Sequence, residues 1–271
     1  MKVNKKGLFF ASLFILLGGF FFMAKYTPQE TGQKIPSHQE GFQFKNVWQF
    51  SQKSIGFSSP NLADLNLDGV EDIIIGSGIF EHGGHARPIM AIDGKKGTLL
   101  WSYNAQSRVF ATPFLMDINE DKVKDVLIGT DHCHKGSSKT CPSLYALNGK
   151  SGELLWDLRK VNEGFWKGDV PGFNTISKFG NRILFGQSGG GFEPRPPARF
   201  FIAHPKTGKI LKEFKAEDNG EVYSIPTLFK HNNVWHALFG TGGEVVKGSL
   251  YLYDLLKGKT LWSLPEKKKG W

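Results

Sequence analysis

Two stretches of the chain carry side-chain oxygens at a spacing that suits a hard cation. The first, PNLADLNLDGVEDIIIG, offers Asp64, Asn66, Asp68 and Asp72, with the main-chain carbonyl of Val70 between the last two. The second, PFLMDINEDKVKDVLIG, offers Asp117, Asn119, Asp121 and Asp125, with the carbonyl of Val123 in the matching place. Alternate residues of a tightly curled loop can supply the six to eight oxygens that calcium takes at about 2.3–2.6 Å. Gly69 gives the first loop the sharp turn it needs. Lys122 stands in that place in the second loop, where it strains a left-handed backbone and brings positive charge to the site. Calcium is expected at the first loop. The second stays open between calcium and a metal-free Asx turn, in which Asp and Asn close on their own backbone. In either case the expected role is to stiffen a hairpin, with no part in chemistry.

The elements that position these loops recur along the chain. Each acidic loop leads into a short apolar run, and the two loops begin 53 residues apart. Later in each unit come two apolar runs around a Gly turn: IMAIDGKKGTLLWSY, LYALNGKSGELLWDL, FIAHPKTGKILKEF and LYLYDLLKGKTLWSL. Their turn glycines are Gly97, Gly152, Gly208 and Gly258, and four residues on stand Trp101, Trp156, Lys212 and Trp262. Pro60, Pro113 and Pro226 open three of the units, while the third begins GFNTISKFGNRILFG with neither Pro nor acidic loop. A fixed period near 50 residues marks a propeller or solenoid. Gly, Asn and Asp turns between β-branched and aromatic runs are hairpin chemistry. No sustained 3.6-residue apolar period follows residue 26, so helices are not expected.

Each unit therefore reads as four short strands: an acidic-loop hairpin, a variable connection, and a Gly-turn hairpin ending in Trp. The acidic loop before a strand resembles the FG-GAP repeat of integrin-α-like propellers. The Gly-turn segment with its Trp resembles the tryptophan-docking repeat of quinoprotein (PQQ-like) propellers. The resemblance covers about residues 45–265 and implies an all-β fold, a β-propeller of four-stranded blades behind an N-terminal hydrophobic helix. Trp101, Trp156 and Trp262 are expected to be buried between neighbouring blades, with the Lys212 stem in the place of the missing ring. FKNVWQF, with Trp48 in the Trp place, reads as an orphan outer strand that completes the last blade and closes the ring; a truncated member of a longer family is the alternative.

The N-terminus sets the compartment. Lys2, Lys5 and Lys6 precede an uncharged run over residues 7–24. That length is at the threshold of a membrane span, and basic residues stay inside. Residues 1–25 are read as a signal anchor, or as a cleaved signal peptide, residues 26–41 as a polar tether, and residues 42–271 as the propeller. The expected place is outside the cytoplasm, attached to the membrane through the N-terminal segment, or secreted or periplasmic after cleavage. The net charge of +9 falls to +5 once Lys2, Lys5, Lys6 and Lys25 are set aside, and nothing resembles a nucleic-acid module. Cys133 and Cys141 lie in one loop, DHCHKGSSKTCP, and in an oxidising compartment most simply form a disulfide. His132 and His134 leave a soft-metal site as the alternative.

In a four-stranded blade the a–b and c–d turns share one end, and the long b–c connections share the other. Those connections carry His82, His85, Arg87, Glu193, Arg195, Arg199 and Glu244. Loops on a rigid scaffold carry function more often than the scaffold itself. A binding or scaffold protein that recognises a protein or glycan through Arg87, Glu193 and Arg195 is the leading expectation. An exported enzyme, a quinoprotein relative or a polysaccharide-active propeller, is the second. A truncated copy without activity is the third. No nucleophile elbow, zincin helix or P-loop occurs.

Overall fold

The structure, a computed structural model, describes residues 46–51, 58–77, 88–131, 143–165, 172–187, 198–218, 220, 222–242 and 247–265. Sixteen strands form four antiparallel sheets, each a meander of four consecutive strands. The first blade is β1 (Asn61–Ala63), β2 (Asp72–Gly76), β3 (Pro88–Ile92) and β4 (Leu99–Asn104). The second is β5 (Phe114–Met116), β6 (Asp125–Gly129), β7 (Leu144–Leu147) and β8 (Leu154–Asp157). The third is β9 (Phe173–Phe179), β10 (Arg182–Gln187), β11 (Arg199–Ala203) and β12 (Ile210–Lys215). The fourth is β13 (Thr227–His231), β14 (Val234–Gly240), β15 (Ser249–Asp254) and β16 (Lys259–Pro265). These are four propeller-type blades.

Strand chemistry follows position in the blade. β3, β6 and β7 are buried along their whole length, because sheet covers both of their faces, and they read as continuous apolar runs. In β4 and β8 burial concentrates at Trp101 and Trp156, as expected of outer strands. In the third and fourth blades short turns replace the acidic loops. Gly180 lies at φ 52°, and Asn232 and Asn233 lie at 46° and 61°, left-handed values that suit two-residue hairpins. One element departs from the all-strand expectation. A single helical turn, α1 (Leu158–Val161), follows β8, started by Asp157, whose side chain accepts the Arg159 N–H.

The four c–d hairpins share one construction. In each, the turn glycine donates its N–H to the carbonyl four residues back, at 2.7–2.8 Å, and adopts a φ of 67–72°. In each, the c–d register shifts by one residue just before the turn, at Ala91/Ile92, Ala146/Leu147, Ile202/Ala203 and Leu252/Tyr253. The indole of the preceding unit lies on this turn. A Cβ on Gly97 would come within 2.6 Å of the Trp48 ring, on Gly152 within 2.6 Å of Trp101, and on Gly208 within 2.7 Å of Trp156. Only glycine leaves room for the ring. The Nε1–H groups then donate to the carbonyls of Gly94, Gly149 and Pro205 at 2.7–2.8 Å. At the fourth turn the Lys212 stem takes the place of the ring over Gly258, and its Nζ donates to the Leu256 carbonyl at 3.2 Å.

Three cores lie between successive blades. The first joins Ile74, Ile89, Ala91 and Trp101 to Val126, Ile128 and Tyr145. The second joins Leu127, Leu144 and Trp156 to Ile183, Phe185 and Phe201. The third is aromatic: Phe200 lies 4.1 Å from Phe239, and Phe214 stacks on Tyr253 at 4.2 Å. That column lies at the joint where Lys212 stands in place of an indole.

Two expectations are corrected by this arrangement. Trp101 and Trp156 are 7% and 4% exposed, but Trp262 is 44% exposed. Each indole docks on the blade that follows its own, and no described blade follows the fourth. Likewise, the segment around Trp48 does not complete the last blade, which supplies all four of its own strands. It covers Ile75, Met90 and Ile92 of the first blade instead.

Replacing Trp156 with Ala is expected to lower unfolding stability by about 3–5 kcal/mol, the range for a buried Trp. Denaturant unfolding of the two proteins checks it. A loss below about 1 kcal/mol would mean that the indole does not tie the second blade to the third.

Candidate functional site

The acidic loops occupy the a–b turns, at the same end of the blades as the Gly turns. In the first loop both Asp64 oxygens accept backbone N–H groups, from Asp68 at 3.1 Å and Gly69 at 3.0 Å. Asn66 Oδ1 accepts the Asp68 N–H at 2.9 Å, and Asp68 Oδ1 accepts that of Val70 at 2.9 Å. Asp68 Oδ2 faces Lys95 Nζ at 4.0 Å. The second loop repeats the pattern: Asp117 takes the N–H groups of Glu120 and Lys122, Asn119 that of Asp121, and Asp121 that of Val123. Lys122 sits at φ 72°. The Lys150 ammonium lies 3.7 Å from Asp121.

The last aspartate of each loop does something else. Asp72 is fully buried and accepts the Leu65 N–H at 2.8 Å on one oxygen and the Gly94 N–H at 3.0 Å on the other. Asp125 likewise accepts from Ile118 at 2.9 Å and from Gly149 at 3.0 Å. Each carboxylate therefore staples the a–b turn to the c–d turn of its own blade. A Cβ on Gly94 or Gly149 would collide with the Glu71 or Lys124 carbonyl, at 1.9 and 2.0 Å, so the staple requires glycine there.

Measured against a calcium ion, the first loop fits in part. Asp64, Asn66, Asp68 and the Val70 carbonyl would account for four of the six to eight oxygens. Asp72 is held by two backbone donors and Asp125 by three, from Ile118, Asn119 and Gly149. Among the described residues no three His, Cys, Asp or Glu side chains gather as a metal-binding group.

Environment sets the two carboxylates of the second loop apart. The Val123 N–H holds Asp121 below the ordinary aspartate range. Burial lifts Asp125 above it, against the N–H bonds from Ile118, Gly149 and Asn119. A raised folded-state pKa means that the folded chain holds this proton more tightly than the unfolded chain. The stability this contributes is present below the usual aspartate pKa and is lost as pH rises through the lifted value.

The opposite end of the blades carries a polar floor. β2, β6 and β14 end in glycine followed by a polar side chain, Gly76–Ser77, Gly129–Thr130 and Gly240–Thr241, and β10 ends in the matching pair Gly186–Gln187. Thr130 and Ser143 exchange hydrogen bonds at 2.9 and 3.1 Å, and the Ser143 hydroxyl also donates to Asp157. Thr241 Oγ1 donates to Asp218 at 2.7 Å. Arg108 pairs with Asp131 at 2.9 Å, and its guanidinium lies 5.3 Å from the Phe110 ring centre. Among the described residues, Ser77 Oγ and Gln187 Oε1 are buried without a hydrogen-bond partner.

The structure closes the side chains of each acidic loop on backbone N–H groups of the same loop, and it pairs Arg199 with Glu213 across two strands at 2.7 Å. Arg87, Glu193 and Arg195 lie outside the described residues, as do Cys133, Cys141, His82, His85, His132, His134, Glu244 and residues 1–45. Among the described residues no helix is long and apolar enough to cross a membrane. The sequence reading missed the staple and the polar floor. The signal for the floor is the recurring Gly-Ser/Thr/Gln step after each apolar run.

No protein-family profile and no curated protein sequence matches the chain. Solved structures do. BamB from Moraxella catarrhalis is 15% identical over 72% of this chain and 47% of its own, with a TM-score of 0.46. A quinohemoprotein alcohol dehydrogenase from Pseudomonas putida HK5 is 13% identical over 72% and 33%, at 0.48. A rhamnogalacturonan lyase of Bacillus licheniformis is 14% identical over 77% and 50%, at 0.44. The chain spans half or less of the length of these proteins.

Two substitutions test the turn-end geometry. Lys122→Gly relieves a left-handed lysine and is expected to stabilise the chain by about 1 kcal/mol. Asp125→Asn leaves one buried N–H without an acceptor and is expected to cost about 1–3 kcal/mol. Thermal unfolding of both reads the signs, and a neutral Asp125→Asn would remove the staple from the account.

Proposed function

We propose that the chain is an extracytoplasmic, non-catalytic binding module of the FG-GAP/PQQ-like propeller kind, which recognises a protein or glycan through the end of the blades bearing the b–c connections. The observation that carries this reading is the contrast between the two ends. At the turn end, carboxylates and glycines close on one another in bonds within and between hairpins. At the other end, the b and c strands lie further apart in sequence, and the described residues beside them include Ser77, Thr130, Asp131, Ser143 and Gln187. Arg87, Glu193 and Arg195 are the contact residues of the proposal, and the uncharged run over residues 7–24 is its membrane attachment. Replacing those three residues by Ala is expected to abolish capture of a partner from envelope extract without changing the melting temperature. The same treatment of Lys95, Lys150 and Lys209 at the turn end is expected to be silent. Loss of capture in the lysine variant alone would refute the choice of end.

A second reading has its own support. Ser77 Oγ and Gln187 Oε1 are buried polar atoms without partners, and native structures satisfy most such groups, so a small polar ligand at this end would complete them. An exported enzyme built on that site turns over a small substrate or a quinone in a manner dependent on His85 or His132. The triple Arg87, Glu193 and Arg195 variant then binds no less substrate, which separates the two readings.

Calcium belongs to the proposal at the first loop, through Asp64, Asn66, Asp68 and the Val70 carbonyl. Its affinity falls in the weak extracellular range of about 10⁻⁴–10⁻³ M. The melting temperature is expected to rise with the logarithm of free calcium, and Asp68→Ala to remove most of the gain. The matching change at Asp121 removes less. An unchanged melting temperature in chelator would leave both loops as Asx turns.

A further inference from the structure

The joints between blades use one chemistry, and the two ends of the array are complementary by it. An indole or its lysine substitute lies on the glycine turn of the next unit at Gly97, Gly152, Gly208 and Gly258. Trp262 is left over. It sits in a cross-strand row, Leu238–Leu252–Trp262, beside Leu250 and Leu264. In the first three blades the matching rows are the faces buried on the following blade, as with Ile74–Ala91–Trp101 and Leu127–Ala146–Trp156. Here Leu250, Trp262 and Leu264 are exposed together. Among the described residues no blade covers this face.

The first blade carries the opposite half of the joint. Its Gly97 turn and the Gly94 carbonyl are taken by Trp48, which comes from a segment that joins none of the four sheets. Ile75, Met90 and Ile92 are covered by that segment. Every other turn receives its side chain from the outer strand of a complete blade, which brings a whole sheet face with it.

We propose that two copies of this chain join head to tail, with Trp262 of one copy replacing Trp48 on the Gly97 turn of the other. The indole of Trp262 then donates to the Gly94 carbonyl, and Leu250 and Leu264 cover Ile75 and Met90. Trp48 acts as an internal competitor that must leave before the joint forms. The occupant is a second copy because this chain presents both the exposed donor face and the matching turn. Such a contact is heterologous, so it closes into a ring or extends according to the angle at the joint.

Sedimentation of the full chain in neutral detergent, across a concentration series, tests this. Trp262→Ala removes an exposed side chain, folds normally, and is expected to weaken association at least about thirtyfold, as loss of a central interface Trp does. Trp48→Ala removes the competitor and is expected to strengthen association about tenfold or more. If Trp48→Ala does not fold, Trp48→Leu keeps an apolar cover over Met90 while giving up the bond to Gly94, and the same direction is expected. A wild-type chain that stays monomeric together with either Trp48 variant overturns the proposal. So does a Trp262→Ala protein that associates as the wild type does, which would place the contact elsewhere.

Discussion

An indole lying flat on a glycine turn, with its N–H reaching a carbonyl of that same turn, is the contact on which the rest of this structure depends. The contact fixes three things at once. It requires a left-handed glycine, since any Cβ would enter the ring. It sets the distance between blades, because the ring fills the space between one outer strand and the next hairpin. It also ties the joint to the interior of the receiving blade. Gly94 and Gly149 each give their carbonyl to a Trp from outside the blade and their N–H to an aspartate within it. One peptide unit thus links packing between blades to hydrogen bonding inside them. Those backbone donors offset part of the cost of burying the carboxylates, and at Asp125 burial still outweighs them.

Much of this was legible in the residues. The Gly–Trp spacing announced four c–d hairpins, and the structure places all four with a shared bulge and nearly equal φ values at Gly97, Gly152, Gly208 and Gly258. What spacing alone did not give is direction. The Trp of a unit is four residues from its own turn in sequence, yet its partner is the turn of the next unit. Expecting each Trp between neighbouring blades did not say which neighbour receives it, and so left the exposure of Trp262 and the seat of Trp48 unread. The helical turn at Leu158 escaped because one turn is too short to show a period.

The acidic loops show a different limit. Oxygen spacing is the same for a cation and for a loop that binds its own N–H groups, so Asp64, Asn66 and Asp68 are compatible with either. Asp72 and Asp125 carried a finer signal. The two units that have this aspartate also have glycine after the turn Asp or Asn, at Gly94 and Gly149, whereas the other two have Pro205 and Leu255. Pro205 has no N–H to offer a carboxylate, and a leucine side chain in the place of Gly94 would strike the neighbouring carbonyl. Aspartate and glycine thus occur together in two units and are both absent from the other two, as a bond between them requires.

Each sheet takes its four strands from one continuous stretch, and no strand is shared between sheets. The backbone ladders are therefore complete within every unit, and mostly side chains and a few turn bonds hold neighbours together. A duplication or deletion of one whole unit would break no ladder and would present the same glycine seat to the same kind of side chain. In a chain built this way, the number of units is free to change by recombination while the joint stays fixed, and a joint that has lost its indole, as at Lys212, is tolerated where neighbouring aromatic rings take up the contact.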